Sequence, residues 1–219
     1  MDRIAEVSRK TKETDIYIKL NLDGTGEAKL QYPIGFMAHM LNTFARHGLF
    51  DMEIRASGDL ETDQHHLVED TGLVLGQCFS RALSDRKGIR RAGSCLFPMD
   101  ETLARSSADI SGRPFLVFEA SLSGVPLVSA PPGNPVLAGD KNSGGPSGTG
   151  NFQTDTIEDF WQAFVSAAGI TLHLDIIRGR SDHHKIEALF KAAARSLREA
   201  VEIDQRSAES IPSTKGILA

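Results

Sequence analysis

The stretches Asp63-Gln64-His65-His66-Leu67-Val68-Glu69-Asp70 and Ser181-Asp182-His183-His184-Lys185-Ile186-Glu187 share one pattern, His-His-x-x-Glu, each at the start of a helical periodicity. Thr62 and Asp63 are N-cap candidates for a helix over about 64–83, and Ser181 and Asp182 for one from 183 to about 202. The buried face of the first would use Leu67, Thr71, Val74, Leu75, Cys78 and Leu83. That of the second would use Ile186, Leu189, Phe190, Ala193, Leu197 and Val201. Each helix is preceded by an alternating strand, at 51–57 and 170–177, and each strand by a helix, at 36–47 and about 155–168. Helix, strand and capped helix thus occur twice, and a duplicated half-domain is the simplest account.

The flanking segments fill out an α/β (α+β) fold. Residues 15–20 alternate as a strand, Asp23-Gly24-Thr25-Gly26 reads as a turn, and 27–32 as the return strand of a hairpin. Gly48 suits the stop of the helix that starts near Phe36. Residues 93–121 read as two or three strands, and the Pro-Gly-Ser-rich segment 122–150 as a long, mobile loop. The expected organisation is one domain over 1–219, with repeats at about 8–92 and 93–205 and a tail at 206–219. The 219 residues are 40% hydrophobic and 24% charged, with a net charge of −5, as in an ordinary globular protein. An acidic balance argues against a general nucleic-acid binder. No apolar run approaches the roughly 20 residues of a membrane span. Met1-Asp2-Arg3-Ile4-Ala5-Glu6 lacks the apolar core of a signal peptide, and two cysteines, Cys78 and Cys95, make no disulfide framework, so a cytoplasmic location is expected.

On a helix, residues i and i+4 share a face, so His65 stands over Glu69 and His183 over Glu187. His66 and His184 lie about 100° further round the helix and point elsewhere. One metal cannot easily take both members of an adjacent pair, whereas two metals can, each taking one histidine from each repeat. The spacing therefore predicts a dinuclear, pseudo-twofold site. Imidazole with carboxylate suits Mn, Fe or Zn better than Mg or Ca. His39 lies 26 residues before His65, and Asp159 lies 24 before His183, each followed five residues later by Phe. The repeat makes them equivalent, so they are expected to complete the two sites.

At this point the chain resembles the imidazoleglycerol-phosphate dehydratase family. Arg9-Lys10-Thr11-Lys12-Glu13-Thr14, Asn21-Leu22-Asp23-Gly24-Thr25-Gly26, Gly35-Phe36 with His39-Met40-Leu41, both His-His-x-x-Glu segments, Ser111-Gly112-Arg113-Pro114 and Ile211-Pro212-Ser213-Thr214-Lys215-Gly216 match it in order. The match fails mainly in 122–150, where the loop looks longer than the family's. The resemblance implies a duplicated half-domain with four-stranded sheets packed on helices, like the second domain of ribosomal protein S5. It further implies a hydro-lyase of histidine biosynthesis that converts imidazole glycerol phosphate to imidazole acetol phosphate. Its cofactors would be two Mn²⁺ per site, with Fe or Zn possible alternatives. Its partners would be copies of itself, in a 24-subunit shell with sites between subunits. Carried over by position, the ligands would be His39, His65, His66, Glu69, His183, His184, Glu187 and, where the family usually has histidine, Asp159. Ala38 replaces the family's aspartate before His39. Catalytic roles would fall on Glu13, Glu69 and Glu187, and substrate contacts on Glu13, His39, Arg91, Arg113, Lys191, Ser213, Thr214 and Lys215. The two arginines would offer planar forks for phosphate, and the lysines point charges.

Other polar residues have plainer readings. His47 serves the helix dipole, His173 is structural, Asp63 and Asp182 are caps, and Asp70 either orients a ligand or lies on the surface. Competing functions are a metal-assembled binding or structural paralogue, suggested by Ala38 and Asp159, and an enzyme acting on a related phosphorylated substrate, including a dinuclear hydrolase.

Overall fold

A computed structural model describes residues 3–128 and 151–218. The first half runs β1 (Ile4–Lys10), β2 (Thr14–Asn21), β3 (Ala28–Gln31), α1 (Gly35–Gly48), β4 (Asp51–Gly58) and α2 (His65–Leu83). The second runs β5 (Ala92–Met99), β6 (Thr102–Asp109), β7 (Phe115–Glu119), the short β8 (Leu127–Val128) and β9 (Asn151–Phe152), α3 (Thr156–Ala168), β10 (Thr171–Arg178) and α4 (Asp182–Val201). The four-stranded sheets have matching orders, β1-β2-β4-β3 and β5-β6-β10-β7. In each, two antiparallel pairs are followed by one parallel edge strand. This is an internally duplicated α/β fold of sheets packed with helices.

The helices do not stay within their own half. The second helix of each half lies on its own sheet, while α1 packs on α4 and α3 on α2. Alternation in β2 buries Ile16, Ile18 and Leu20 towards the helices and turns Tyr17 and Lys19 outward. Between α2 and α3 the backbones nearly touch, since a Cβ on Gly72 or Gly76 would run into the carbonyl groups of Phe160 or Phe164. Phe44, Phe160, Trp161, Phe164 and Phe190 fill the centre in edge-to-face and tilted pairs.

Four local expectations are corrected. Residues 27–32 do not return as a hairpin on β2: β3 lies parallel to β4, and β2 takes β1 as its partner, a strand the periodicity reading left unassigned. The cause is Asp51, whose carboxylate accepts the N–H groups of Thr25, Gly26 and Glu27 at 2.8, 3.0 and 3.0 Å and carries the turn across to β4. Gly48 is the last residue of α1, and the left-handed turn falls on Leu49 at φ 54°. Glycine is needed at 48 because a Cβ there would enter the Phe50 ring. Gln64, not Thr62 or Asp63, holds the N-cap position of α2, although Asp63 accepts the His65 N–H at 2.8 Å. Ser181 does cap α4, but Asp182 is its first helical residue and accepts the Ser123 N–H at 2.7 Å and the Lys185 ammonium at 3.1 Å.

The ends of the expected 122–150 loop are therefore anchored, while residues 129–150 lie outside the described residues. Its entry is tied to the start of α4 through Ser123 and through Ser121, whose carbonyl accepts Lys185 at 2.7 Å. Its exit is tied to the start of α2, where Gln64 donates to the Asn151 carbonyl at 2.6 Å and accepts the Gln153 N–H at 3.2 Å. Among the described residues no helix is long and apolar enough to cross a membrane.

Candidate metal centre

His39 projects from the second turn of α1, and His183 and Glu187 from the first turns of α4. Packing of α1 on α4 brings the three together. Glu187 Oε2 lies 3.5 Å from His39 Nε2 and 3.3 Å from His183 Nε2, and one donor atom from each residue lies within 4.8 Å of the others. Donors bound to one cation at roughly 2.0–2.2 Å stand about 3 Å apart when adjacent and about 4.3 Å when opposite. The three side chains therefore fit a metal with little movement. The His183 ring is fixed from behind by the edge of Phe36 at 5.2 Å, and Phe36 by Phe152 at 4.8 Å. Glu187 is buried, which by itself raises a carboxyl's pKa, but Lys191 at 2.8 Å and His39 reverse this and hold it below the usual value.

The equivalent contact of α3 with α2 gathers Asp159, His65 and Glu69. Asp159 Oδ2 lies 3.4 Å from His65 Nδ1, and Glu69 Oε2 lies 3.7 Å from His65 Nε2. The carboxylates meet opposite edges of one imidazole, so this group is more open than its counterpart. Each group takes one residue from the first helix of one half and a His/Glu pair from the capped helix of the other.

The second histidines point away from both groups. His66 Nδ1 lies 3.1 Å from Asp59 Oδ2, and His184 Nδ1 lies 2.8 Å from Glu101 Oε2. The Asp59 contact raises the His66 pKa. The Ser181 N–H, followed by His184, draws the Glu101 carboxyl far down. Sequence reasoning missed both acids. The signal for Glu101 was present: it sits in the β5–β6 turn as Glu13 sits in the β1–β2 turn, where the Glu13 carbonyl accepts the Asp59 N–H at 3.0 Å.

The arginines, Lys191 and the tail residues expected to bind substrate fall in two places. Arg91, at φ 72°, donates to both Asp109 oxygens at 2.7 and 3.1 Å and to the Pro212 carbonyl at 3.0 Å. It thereby holds the tail just before Ser213, Thr214 and Lys215. Neighbouring Arg90 is turned instead to Glu199 and Glu202, at 3.6 and 3.3 Å. The Arg113 side chain is exposed on the turn after Ile110, whose N–H donates to the Arg91 carbonyl at 2.9 Å. Lys191 lies elsewhere, beside Glu187, Met99 and the Phe97 ring. Arg91 and Met99 flank opposite ends of β5, roughly 25 Å apart at about 3.3 Å per residue. Within one chain, no small ligand bridges the arginine–tail group and Lys191.

The plainer readings also sort themselves. Asp70 accepts Arg9 at 2.9 Å and the Thr14 hydroxyl, tying α2 to β1 and β2. His47 does end α1, but its ring also stands edge-on to Phe97 at 5.3 Å. Burial, then Lys191 and Arg195, lowers its pKa. His173 is exposed on β10.

A sequence profile of imidazoleglycerol-phosphate dehydratase matches residues 33–129 and 133–197. The enzyme of that name from Thermoanaerobacter pseudethanolicus is 49% identical over 216 residues, covering 99% of this chain and 100% of that protein. The one from Cereibacter sphaeroides is 48% identical over the same length and shares. Among solved structures, the Staphylococcus aureus dehydratase matches with a TM-score of 0.73 at 36% identity, covering 92% of this chain and 99% of that one. The Pyrococcus furiosus dehydratase gives 0.71 at 27%, covering 97% and 100%. Most of the 122–150 segment, where the match was expected to fail, lies within the residues that the profile matches. The profile breaks there only at 130–132. Matched over most of its length, and near half identical to relatives from end to end, the chain belongs to the imidazoleglycerol-phosphate dehydratase family.

Proposed function

We propose that this protein is a hydro-lyase that dehydrates imidazole glycerol phosphate to imidazole acetol phosphate in histidine biosynthesis, in the cytoplasm, at a dinuclear manganese centre. The observation that carries the reading is the convergence of His39, His183 and Glu187 at separations suited to one cation, with Asp159, His65 and Glu69 as the repeat-related group. His66 and His184 complete the ligand set. When bound, the two metals supply Lewis acidity and a template for the imidazole.

The chain's own groups do the rest. Lys191 keeps Glu187 ionised, so it can donate electron pairs rather than hold a proton. Loss of water from a diol requires a base at carbon and an acid at the departing oxygen, and Glu13, exposed in the β1–β2 turn, where its carbonyl accepts the Asp59 N–H, would serve in proton transfer. Arg113, Arg91, Ser213, Thr214 and Lys215 form one cationic and hydroxyl-bearing group for the phosphate. Arg91 would divide its fork between Asp109 and the ligand.

Two observations favour sites shared between subunits in a closed homo-oligomer such as a 24-subunit shell. The arginine–tail group and Lys191 flank opposite ends of β5, and His66 and His184 face away from the ligand groups of their own chain. Purified protein loaded with Mn²⁺ should turn over imidazole glycerol phosphate, and anomalous scattering should show two manganese ions per site. Absence of turnover in metal-replete, assembled protein would overturn the proposal.

A further inference from the structure

We infer that Asp59 and Glu101 are positioning residues of the metal centre, each fixing the second histidine of a pair through Nδ1 so that Nε2 is committed to the metal. This rests on the dinuclear reading above. The geometry is the same at both places although the acids come from different elements, Asp59 following β4 and Glu101 lying in the β5–β6 turn. Their oxygens approach Nδ1 at 3.1 and 2.8 Å. A carboxylate can only accept, so the ring nitrogen facing it carries the proton, and Nε2 keeps its lone pair.

Both acids are themselves held. The Asp59 N–H donates to the Glu13 carbonyl at 3.0 Å, and its carbonyl accepts the Thr62 N–H at 2.8 Å. Glu101 Oε1 accepts the N–H groups of Ser181 and Arg180 at 3.0 and 3.2 Å, which leaves Oε2 for His184. The first histidines differ: His183 turns Nε2 to Glu187, and His65 turns Nε2 to Glu69. Each pair therefore holds one histidine whose Nε2 faces the glutamate of its own helix and one whose Nδ1 faces an acid outside that helix.

The decisive variant is Glu101→Gln in the full-length protein. Its amide oxygen can keep the Ser181 and Arg180 N–H groups, so the α4 end stays capped. Its NH₂ group then faces His184 and, being a donor, moves the ring proton to Nε2. Expected results are a Mn²⁺ dissociation constant weakened about 10–100-fold, an unchanged melting temperature of the metal-free protein, and a switch of the His184 tautomer in imidazole ¹⁵N shifts. Asp59→Ala should weaken Mn²⁺ binding to a similar degree, and Asp59→Glu should restore part of it. Wild-type affinity in Glu101→Gln and Asp59→Ala, alongside a wild type that binds Mn²⁺, would overturn this inference alone. A wild type that binds no Mn²⁺ would overturn the dinuclear reading and this inference with it.

Discussion

Replacing Gly72 by alanine sets two effects against each other. In a helix interior alanine is better than glycine by about 0.5–1 kcal/mol. At Gly72, however, the new Cβ would stand 3.0 Å from the Phe160 carbonyl carbon, 3.1 Å from its Cα, and closer still to its oxygen. Carbon atoms rest at about 3.5–4.0 Å, so α3 must withdraw by roughly 0.5–1 Å. The clashing atoms are backbone and cannot swing aside as a side chain would. Overpacking of this kind costs about 1–3 kcal/mol, and a backbone clash belongs at the upper end. After the propensity gain, the net loss is about 2 kcal/mol, or about 4–8 °C in melting temperature for a chain of this length. Because Asp159 immediately precedes Phe160, the same retreat lengthens its 3.4 Å contact with His65. Thermal unfolding of metal-free protein and Mn²⁺ titration of the same sample measure both effects. A Gly72→Ala protein as stable as the parent, or more so, would refute the close-approach argument.

Further outcomes follow from other parts of the molecule. His65→Ala or His183→Ala should abolish both oligomer assembly and turnover, and light scattering that shows intact assemblies in both variants would contradict shared metals. Arg113→Ala should lower kcat/KM by about 10–100-fold through loss of a charge-assisted phosphate contact, with metal content unchanged. Acid unfolding should expose Asp51, whose burial is outweighed by the N–H groups of Glu27, Thr25 and Gly26, so that its pKa lies below the usual 3.8. A depressed carboxyl stabilises fully above its usual value and loses that contribution as pH falls through the lowered one. The stability gap between the parent and Asp51→Asn should therefore be constant above about pH 5 and close only under strongly acid conditions. A gap that widened on acidification would reverse the assigned sign.

Sequence periodicity exposed the four long helices and most of the larger strands because each buries one stripe or one face, as Ile186, Leu189 and Phe190 do on α4. The repeat also placed His39 and Asp159 as partners of the His/Glu pairs, which is where packing puts them. Periodicity could not show which helix meets which, so nothing foretold that His39 would join His183 rather than His65. Strand pairing was equally hidden: a turn sequence such as Asp23-Gly24-Thr25-Gly26 does not reveal that Asp51, more than twenty residues later, captures its N–H groups. Asp59 and Glu101 escaped notice for the same reason. Their contacts with His66 and His184 span 7 and 83 residues, and neither acid lies on the helix that carries its histidine.

The exchange of helices between halves also governs the order in which the chain can fold. α1 ends at Gly48 and its packing partner α4 begins at Asp182, so 134 positions must be made before the first helix finds its resting place. The same holds for α2, whose glycine-lined groove waits for α3. The first half leaving the ribosome is thus a sheet and two helices with unburied faces, and loop closure over such distances makes folding slow. Synthesis that stops after β4 and α2 yields an aggregation-prone fragment rather than a smaller working unit. Duplication gave this architecture its symmetry, and the crossing of its helices made the two copies inseparable.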